Sequence, residues 1–385
     1  MSVETVTLGC RLNFAEAETI ARSAPKGERW IVVNSCAVTN EAVRQTRQAI
    51  RRARKRRPDA RILVTGCAAE LDRTSFERMP EVARVVGNEA KLASFDVKAS
   101  AVAAGSHSRV RSFVAIQNGC DHRCTFCSIW QARGPSRSLP YEAVRDAVSR
   151  ELDRGAMEIV LTGVDITDYD GGLGSLCQRL LAKEARLKRL RLSSLDSIEI
   201  DDALYELLPD DRLLPHFHLS LQAGDDMILK RMKRRHSCAD AVRTVARIKA
   251  VRPEATFGAD IIAGFPTETE EMALNTLKLL DDCDVIAAHI FPFSARPNTP
   301  AARMPQVDGA TIKARAARLR TAADERRRRW LEGLIGTRQR VLIENNAKGH
   351  SDVFAPVAMP GAKRGAIVDA RILSRDGNQL VGVAT

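Results

Sequence analysis

Runs of β-branched and aliphatic residues alternate with amphipathic, helix-like stretches along about the first hundred residues. Three of these runs end in a cysteine: VETVTLGC at Cys10, WIVVNSC at Cys36 and RILVTGC at Cys67. Continuous apolar runs followed by helices are typical of buried parallel strands in a βαβ sheet. Because ligands gather at the carboxyl ends of such strands, the pattern predicts that the three cysteines converge on one spot. Taken singly, each cysteine could instead be a buried, inert thiol.

A second alternation of strand-like and helix-like segments begins near residue 111. Its strand-like runs are RSFVAIQ, MEIVLTGVDI, LKRLRLSSLD, HFHLSLQ, TFGADIIAGF and VIAAHIFPFS. Six βα units predict a parallel barrel or partial barrel with its chemistry at the strand carboxyl ends. On the fourth run, His216 and His218 alternate with Phe217; we interpret the two histidines as lying on opposite faces, with His218 lining the barrel.

From about residue 336 the pattern changes to short alternating runs with an Asp-Gly turn in SRDGNQLVGV, which predicts a small β-barrel or β-sandwich. Small and polar residues over 90–110 predict a linker. The expected fold class is therefore α/β with three domains. These are a three-layer parallel α/β domain over 1–105, a partial (β/α)6 barrel over 106–335 and a β domain over 336–385. The last domain suits nucleic acid binding, and a structural cap is its alternative role.

The charge balance narrows the class of partner. The 385 residues include 60 Lys and Arg against 48 Asp and Glu, a net charge of +12 that favours a polyanion. No apolar run reaches the roughly 18 residues of a membrane-spanning helix, and the N-terminus lacks a signal-peptide pattern. A cytoplasmic protein without a membrane partner is expected. In that reducing compartment, the nine cysteines should be ligands, catalysts or core residues rather than disulfides.

The helix predicted after Cys36 has a strongly basic surface. Asn40 is its predicted cap, and Pro58 follows its end. Only Glu41 lies nearby in sequence to offset eight positive side chains, which are Arg44, Arg47, Arg51, Arg52, Arg54, Lys55, Arg56 and Arg57. A solvated helix face and a phosphate-binding surface both fit this pattern. The candidate RNA contacts on this helix are Arg44, Arg47, Arg51 and Arg54.

The sharpest chemical signal is CDHRCTFC, which places Cys120, Cys124 and Cys127 in a CxxxCxxC array after the first barrel strand. Soft thiolates at this spacing suit an iron–sulfur cluster. Three protein ligands on a four-iron cluster leave one iron open to a substrate or cofactor. The alternative is zinc, which usually has four ligands, with His122 or His107 as the fourth.

The CxxxCxxC array with Phe126 before its last cysteine resembles the radical SAM superfamily, and further motifs narrow the resemblance. TLGCRLN, VVNSCAVTN, VTGCAAE and VVGN are similar to the methylthiotransferase N-terminal domain. The barrel motifs that extend the likeness are EIVLTGVDI, RLSSLD, HLSLQAGDDMILKRMKR, DIIAGFPTET and HIFPFSARPNTPA. The tail is similar to a short TRAM domain, an RNA-binding module. Within the family, the first two motifs most resemble the branch that modifies N6-threonylcarbamoyladenosine at tRNA position 37.

This resemblance implies a radical SAM methylthiotransferase that replaces the C2 hydrogen of the adenine with a methylthio group. It implies one [4Fe-4S] cluster on the CxxxCxxC cysteines and an auxiliary [4Fe-4S] cluster on the three strand-end cysteines. S-adenosylmethionine would be both radical source and methyl donor. Because the hard chemistry belongs to the cofactors, no side chain is assigned as a catalytic acid or base. The implied partners are the anticodon stem-loop of tRNA, an electron donor and a sulfur source.

The resemblance also assigns residues near S-adenosylmethionine. They are Phe126, Gly163, Ser194, Gln222, Arg234 and Asp260. Gly163 would let the backbone approach the ligand, and Arg234 would pair with the ligand carboxylate. Arg133 and Arg137 would contact RNA phosphate or lock the cluster loop.

The chain departs from the usual family pattern at a few positions. These are Trp130 and Gln131 in place of Pro-Tyr, Ala223 in place of serine and Thr267 in place of glycine. Two alternative substrates keep the enzyme class, namely isopentenyladenosine in tRNA and an aspartate of a ribosomal protein. A non-catalytic iron–sulfur protein that binds RNA or senses redox state is the alternative of another class.

Overall fold

The computed structural model describes residues 3–23, 29–93 and 110–385. Its first sheet is parallel, in the order β1-β2-β3-β4. The strands are β1 (Glu4–Thr7), β2 (Trp30–Ser35), β3 (Arg61–Gly66) and β4 (Arg84–Val85). The helices are α1 (Arg11–Ser23), α2 (Asn40–Arg56), α3 (Cys67–Leu71), α4 (Arg73–Glu77) and α5 (Ala90–Ala93). The three predicted strands are confirmed, and the two-residue β4 is too short to leave a periodic pattern in the sequence.

Helix α2 is capped one residue earlier than expected. The hydroxyl of Thr39 accepts a hydrogen bond from the Ala42 amide at 3.1 Å, so the predicted cap at Asn40 is wrong. The Asn40 side chain instead accepts a hydrogen bond from Arg296 at 2.6 Å, on the far side of the domain junction. The start of α2 is thereby tied to the central barrel.

The central barrel has six parallel βα units, as predicted. Two parallel sheets, β5-β8-β9 and β10-β11-β12-β13, follow one another around it and are separated at Ser193. The strands are β5 (Arg111–Ala115), β6 (Gln117–Asn118), β7 (Arg137–Ser138), β8 (Glu158–Thr162), β9 (Leu190–Leu192), β10 (Ser194–Leu195), β11 (His216–Gln222), β12 (Thr256–Ala263) and β13 (Val285–Pro292). The α-helices are α6 (Ile129–Arg133), α7 (Tyr141–Asp153), α8 (Leu173–Lys183), α9 (Asp202–Leu207), α10 (Asp226–Met232), α11 (Cys238–Val251), α12 (Glu270–Asp282) and α13 (Gly309–Gly333). Strands β6 and β7 form a separate antiparallel pair.

Side chains of strand β11 alternate between the inside of the barrel and the outer apolar core. Phe217, Leu219 and Leu221 join the apolar core beneath the surrounding helices. His216 and His218 therefore both point inward, because side chains two residues apart share a face of a strand. The interpretation that they lie on opposite faces is wrong, and the inner position of His218 is confirmed.

The C-terminal segment forms a closed five-stranded barrel in the order β14-β15-β16-β18-β17. Its strands are β14 (Arg338–Asn345), β15 (Lys348–Ser351), β16 (Pro356–Ala358), β17 (Ile367–Asp376) and β18 (Gln379–Ala384). The predicted linker over 90–110 and the predicted boundary between 105 and 106 fall mainly on residues 94–109, outside the described residues. Within the described ranges, no helix is both long and apolar enough to cross a membrane.

A loop of the C-terminal barrel closes the amino end of the central barrel. The ring of Phe354 stacks on His216 at 4.9 Å between centroids, and the guanidinium of Arg191 lies 4.7 Å from the Phe354 centroid. The hydroxyl of Thr256 donates to the Val353 carbonyl at 2.9 Å. Asp352 pairs with Arg189. The two barrels are thus joined by stacking and by charge.

Glu158 is the central carboxylate in the ion-pair network where the C-terminal barrel meets the central barrel. It is fully buried at the start of β8 and pairs with Arg111, Arg189 and Arg191 at 2.8–3.0 Å. Burial raises the pKa of the Glu158 carboxyl, but Arg191 and Arg111 outweigh it and hold the pKa well below its usual range.

Glu158→Gln is expected to destabilise the protein by about 3 kcal/mol or more, because it leaves the buried Arg189 and Arg191 and the half-buried Arg111 around a neutral side chain. A depressed folded-state pKa stabilises the fold above the unfolded pKa of about 4.3 and loses that contribution as pH falls below it. The wild-type advantage in urea midpoint should therefore be constant from about pH 7 to 5 and shrink below about pH 4. An advantage that persists unchanged to about pH 2 would contradict the assigned charge state.

Candidate cluster and cofactor site

The three strand-end cysteines, Cys10, Cys36 and Cys67, lie together at the carboxyl edge of the first sheet. Ser35 at the end of β2 is in register with Gly66 at the end of β3, and the next residues in each chain segment are Cys36 and Cys67. The charges of Cys10 and Cys67 both act on Cys36. We name these three cysteines the auxiliary triad. Cys10 is exposed, whereas the other two are buried.

Gly9 allows the auxiliary triad to close. Its φ is +94°, and a Cβ at this position would lie 2.7 Å from Sγ of Cys36. Glycine therefore meets both a backbone and a packing requirement. Asn13 adds two hydrogen bonds, to the Leu8 carbonyl at 2.7 Å and to the Ser35 carbonyl at 3.1 Å. The loop that carries Cys10 is thereby held against the end of β2.

A buried ionic network joins the auxiliary triad to the central barrel. Arg133, at the end of α6, places Nε 3.3 Å from Sγ of Cys67. Its other nitrogens reach Glu16 at 2.5 Å and the Asn13 side chain at 2.5 Å. Glu16 also pairs with Lys91 at 2.5 Å, and all four polar partners are almost fully buried.

The charges in this network fix its protonation state. Burial raises the pKa of Glu16, but Arg133 and Lys91 outweigh it and lower the pKa to about 2. Because Arg133 is only 3% exposed, it cannot reach an RNA phosphate, and its prediction as an RNA contact is corrected. Its position agrees with the other expectation, that it locks the cluster loop.

The CxxxCxxC cysteines, Cys120, Cys124 and Cys127, lie on a loop between β6 and α6, and we name them the loop triad. The Cys127 amide donates to the Cys124 carbonyl at 3.1 Å. Between these cysteines, Thr125 anchors the loop through its amide to the Met232 carbonyl at 3.0 Å. Gly119 has a φ of +81°, and a Cβ there would overlap the Pro135 carbonyl oxygen at 1.8 Å. The loop path therefore requires glycine.

The donor sets of both triads fit iron–sulfur clusters. Burial raises the pKa of the Cys36 and Cys127 thiols to about 11 and that of Cys120 to about 12. Backbone N–H groups of Val38, His122 and Ile129 donate to the sulfurs of Cys36, Cys120 and Cys127. Such N–H···S hydrogen bonds stabilise thiolate that is bound to a cluster.

The two triads face each other across the domain junction. Helix α3, which begins at Cys67, packs against α6, which follows Cys127. The charge of Cys67 also acts on the Cys127 thiol. Asn88 donates to the Ala132 carbonyl at 2.6 Å, which adds a further contact between the domains. The convergence of Cys10, Cys36 and Cys67 predicted from the strand ends is present in the structure, and the loop triad lies close to it.

Arg234 has the most informative position among the residues implied in S-adenosylmethionine binding. It pairs with Asp196 at 2.8 Å, donates to the Ser220 carbonyl at 2.9 Å and lies 3.8 Å from Sγ of Cys124. Its Nε is buried and has no hydrogen-bond partner within the described residues. The Nε–H of Arg234 therefore remains as a donor for a ligand carboxylate beside the loop triad.

The other implied residues occupy different environments. Gly163 packs on Gln117, whose oxygen a Cβ would approach to 2.9 Å, so its glycine is explained without a ligand. Gln222 has a φ of +67° at the end of β11, a strained conformation that is common near binding sites. Ser194 begins β10, and Phe126 packs edge-on to Phe265. Ligand contacts by these four residues stay predictions.

Asp260 lies on the inner face of β12 and contacts two histidines. Its Oδ1 lies 3.0 Å from Nε2 of His218 and 3.1 Å from Nδ1 of His289. Burial raises the pKa of Asp260, but hydrogen bonds from both histidines hold it well below its usual range. The predicted contact of Asp260 with the cofactor stays a prediction.

His122, the candidate fourth ligand of a zinc site, lies near Cys120: ligand atoms of Cys120, His122 and Asp165 are within 4.8 Å of one another, so this alternative stays a prediction. Its Nε2 pairs with Asp165 at 2.5 Å and lies 3.3 Å from Glu199. The hydrogen bond to Asp165 raises the pKa of His122. Sγ of Cys120 is 3.9 Å from the same Asp165 carboxylate, so His122 has a structural partner without a metal. The other candidate, His107, lies outside the described residues.

Folding gives the basic face of α2 more acidic neighbours than the sequence indicated. Arg44 pairs with Glu41 as expected, whereas Arg47 reaches Asp72 and Ser75. Arg54 donates to three backbone carbonyls, so it is largely structural. Arg51, at 4.0 Å from Glu81, remains 62% exposed. RNA contacts by this face and by the exposed Arg137 stay predictions.

Three of the four departures from the family pattern have a defined local environment, and nothing in the structure explains Gln131. Thr267 adopts a φ of +68°, where glycine would be unstrained, and its hydroxyl oxygen accepts a hydrogen bond from Arg231 at 2.8 Å. Trp130 lies under the guanidinium of Arg123 at 5.3 Å. Ala223 is fully buried in an apolar cluster. Arg11 and Glu16 were not among the predicted site residues, although both follow Cys10 within two helical turns.

Two family descriptions match the chain. Residues 114–280 match the Radical SAM superfamily, and residues 2–87 match the Uncharacterized protein family UPF0004. The threonylcarbamoyladenosine tRNA methylthiotransferase MtaB of Rickettsia prowazekii (strain Madrid E) is 44% identical over 382 residues, covering 92% of this chain and 91% of the relative. MtaB of Thermotoga maritima is 33% identical, covering 89% and 86%.

A tRNA-2-methylthio-N(6)-dimethylallyladenosine synthase of Erythrobacter litoralis is 31% identical, covering 89% of this chain and 86% of the relative. Among solved structures, the radical S-adenosylmethionine methyltransferase TsrM of Kitasatospora setae, with cobalamin and a [4Fe-4S] cluster bound, has a TM-score of 0.53. It is 16% identical and covers 76% of this chain and 68% of its own, so this likeness concerns the fold alone.

Proposed function

The chain belongs to the MtaB-like family of radical SAM tRNA methylthiotransferases, and on this premise we propose that it adds a methylthio group to C2 of N6-threonylcarbamoyladenosine in tRNA. The observation that carries the proposal is the facing pair of triads. Arg133, six residues after Cys127, donates to the sulfur of Cys67. The two three-cysteine sites therefore lie close together at the domain junction. We take the space between them as the reaction chamber, because the reaction needs both radical generation and sulfur delivery.

Enzymes of this family use S-adenosylmethionine and [4Fe-4S] clusters. When bound, these groups supply the electron, the hydrogen abstraction, the sulfur and the methyl group. The residues that would hold the clusters are the loop triad and the auxiliary triad. Arg234 would orient the S-adenosylmethionine carboxylate beside Cys124, while Asp196 holds the guanidinium in place.

The protein's own contribution is to bind, orient and exclude water. The network around Arg133 keeps the auxiliary triad at a set distance from the loop triad. Phe354 and Asp352 close the amino end of the central barrel, which leaves the carboxyl end as the entrance. The target base must leave its stack to enter there, at a cost of a few kcal/mol.

The tRNA partner is supported by the identity of the relatives and by the net charge of +12. The anticodon loop suits recognition because its bases can be splayed out. An electron donor, a sulfur source and a cytoplasmic location stay predictions. The dimethylallyladenosine relative is less similar to the chain than the first MtaB relative, at 31% against 44% identity, which favours the threonylcarbamoyl substrate.

The test is nucleoside mass spectrometry of total tRNA from a strain that lacks the gene. The 2-methylthio-threonylcarbamoyl nucleoside is expected to disappear and the threonylcarbamoyl nucleoside to accumulate. Reintroducing the intact gene should return both nucleosides to their wild-type levels. The dimethylallyl nucleosides serve as the internal control and should not change. An unchanged methylthio-threonylcarbamoyl level with altered dimethylallyl nucleosides would instead assign the enzyme to that substrate.

A further inference from the structure

Arg11 reaches from the auxiliary triad into the central barrel. It follows Cys10 and begins α1, which packs against the edge strand β5. The barrel is partial, and within the described residues β5 and β13 are its first and last strands, each at the edge of its sheet. The Arg11 guanidinium lies 5.9 Å from the ring centroid of Phe113, on the strand face opposite Val114 of the outer core. Arg11 therefore lies at the seam where the N-terminal domain meets the barrel interior.

The nearby carboxylates already have other partners. Two of them, Glu158 and Asp260, act on the charge of Arg11 from a distance. Glu158 is held by three other arginines, and Asp260 by His218 and His289. Within the described residues, Arg11 makes no hydrogen bond and no ion pair. The barrel interior thus contains a guanidinium whose donors are unused.

This guanidinium keeps its charge at neutral pH. Arg111 and Arg191 repel the Arg11 charge and Glu158 and Asp260 attract it, but a guanidinium stays protonated at neutral pH in either case. A partly desolvated cation without a counter-ion attracts an anion strongly, and a guanidinium matches a carboxylate with two parallel hydrogen bonds. The expected ligand is therefore a carboxylate that enters the chamber.

We propose that Arg11 binds the carboxylate of the threonylcarbamoyl group and so selects the target adenine. This inference rests on the proposed function. The C2–H and C6–N6 bonds diverge from the purine ring, so a base that presents C2 to the auxiliary triad directs its N6 group away from Cys10. The Arg11 side chain also leaves the triad, toward Phe113 in the barrel. An isopentenyl group has no charge and would leave the half-buried Arg11 without a partner.

S-adenosylmethionine is the other carboxylate expected in the chamber. Arg234 lies beside the loop triad, 3.8 Å from Sγ of Cys124, and has an unused Nε for that ligand. Arg11 is adjacent to the auxiliary triad instead. Arg234 would therefore bind the carboxylate of S-adenosylmethionine at the loop triad, and Arg11 would bind the carboxylate of the threonylcarbamoyl group at the auxiliary triad.

The test compares holoenzyme variants with two anticodon stem-loop RNAs that differ only in the N6 group, threonylcarbamoyl or isopentenyl. Fluorescence anisotropy of the anaerobically reconstituted wild type is expected to show about ten- to a hundredfold tighter binding of the first RNA. Arg11→Gln should bring the ratio near one, mainly by weakening that RNA. Arg11→Lys keeps the positive charge but loses the two parallel guanidinium donors, so it should retain part of the preference for the threonylcarbamoyl RNA. Arg186→Gln removes a charge at an exposed site and should leave the ratio unchanged.

Iron content and the KM for S-adenosylmethionine in RNA-free 5′-deoxyadenosine release complete the test. Both should match wild type in Arg11→Gln; if this variant loses iron, Arg11→Lys provides the measurement. An unchanged RNA ratio overturns the inference, as does a wild type that binds both RNAs equally. A raised KM with an unchanged ratio assigns Arg11 to S-adenosylmethionine. A wild-type holoenzyme that methylthiolates no RNA would reject the proposed function itself, whereas normal activity with an unchanged ratio rejects only the role of Arg11.

Discussion

Replacing the loop triad, Cys120, Cys124 and Cys127, with alanine is expected to lower the iron content from about eight to about four atoms per chain and to abolish 5′-deoxyadenosine release. Each triad offers one three-thiolate site, and Arg133 rather than a shared ligand connects the two sites. Loss of one set of thiols should therefore leave the other site able to bind iron. Iron analysis and electron paramagnetic resonance after anaerobic reconstitution measure the first effect.

The reciprocal variant of the auxiliary triad, with Cys10, Cys36 and Cys67 replaced by alanine, is the matched control. It is expected to retain about four irons and to release 5′-deoxyadenosine, but to form no methylthio product. Equal loss of 5′-deoxyadenosine in both variants would contradict separate roles for the triads. A wild-type protein that holds zinc and no iron after anaerobic reconstitution would reject both clusters and favour the zinc alternative.

Arg133→Met is expected to destabilise the protein by about 3–5 kcal/mol, because it removes one partner from a buried charge network. Glu16 would keep only Lys91 as a counter-ion, and the side-chain oxygen of Asn13 would lose its Arg133 donor. The sulfur of Cys67 would lose a cationic donor at 3.3 Å, so the auxiliary cluster potential should fall. Urea unfolding measures the first effect and a redox titration of the holoprotein measures the second.

Two further variants separate charge from geometry at this position. Arg133→Lys keeps the charge without the planar fork and should recover part of the stability. Arg137→Met, four residues on and exposed, should change stability by less than about 0.5 kcal/mol. A loss of stability in Arg137→Met equal to that in Arg133→Met would mean that the loop, rather than the buried network, causes the effect.

Local patterns in the sequence were sufficient to predict the architecture. The three strand-end cysteines and the six βα units depend on hydrophobic periodicity and on the geometry of parallel sheets, both of which are local. The same reasoning located the loop triad, because CxxxCxxC lies within eight residues. It also predicted the C-terminal barrel from alternating short runs and an Asp-Gly turn.

The sequence left two roles open for Arg133, and its ionic partners could not be predicted from local patterns. Its partners Glu16 and Asn13 lie 117 and 120 positions away in the chain, and only the domain junction brings them together. An arginine after a cysteine loop in a basic protein looks like a phosphate contact until its burial is known. The cap of α2 failed for a smaller reason, since Thr39 and Asn40 are both good caps and adjacent.

For the basic face of α2, the sequence overstated how much positive charge is free to bind a ligand. Composition suggested eight nearly unopposed charges, but Asp72 and Glu81 come from later segments and offset some of them. Arg54 became a structural residue because three carbonyls surround it. Electrostatic surfaces depend on long-range neighbours, whereas secondary structure depends mostly on near ones.

The way Phe354 closes the base of the central barrel sets a length scale for the whole enzyme. The C-terminal barrel is fixed at one end of the parallel strands, and the cysteines are at the other. Strand β12 has eight residues and spans about 26 Å. An RNA that contacts both the C-terminal barrel and the cysteine site would therefore have to span this distance. Its nucleotides at the C-terminal barrel would lie at least one strand length from the base being modified.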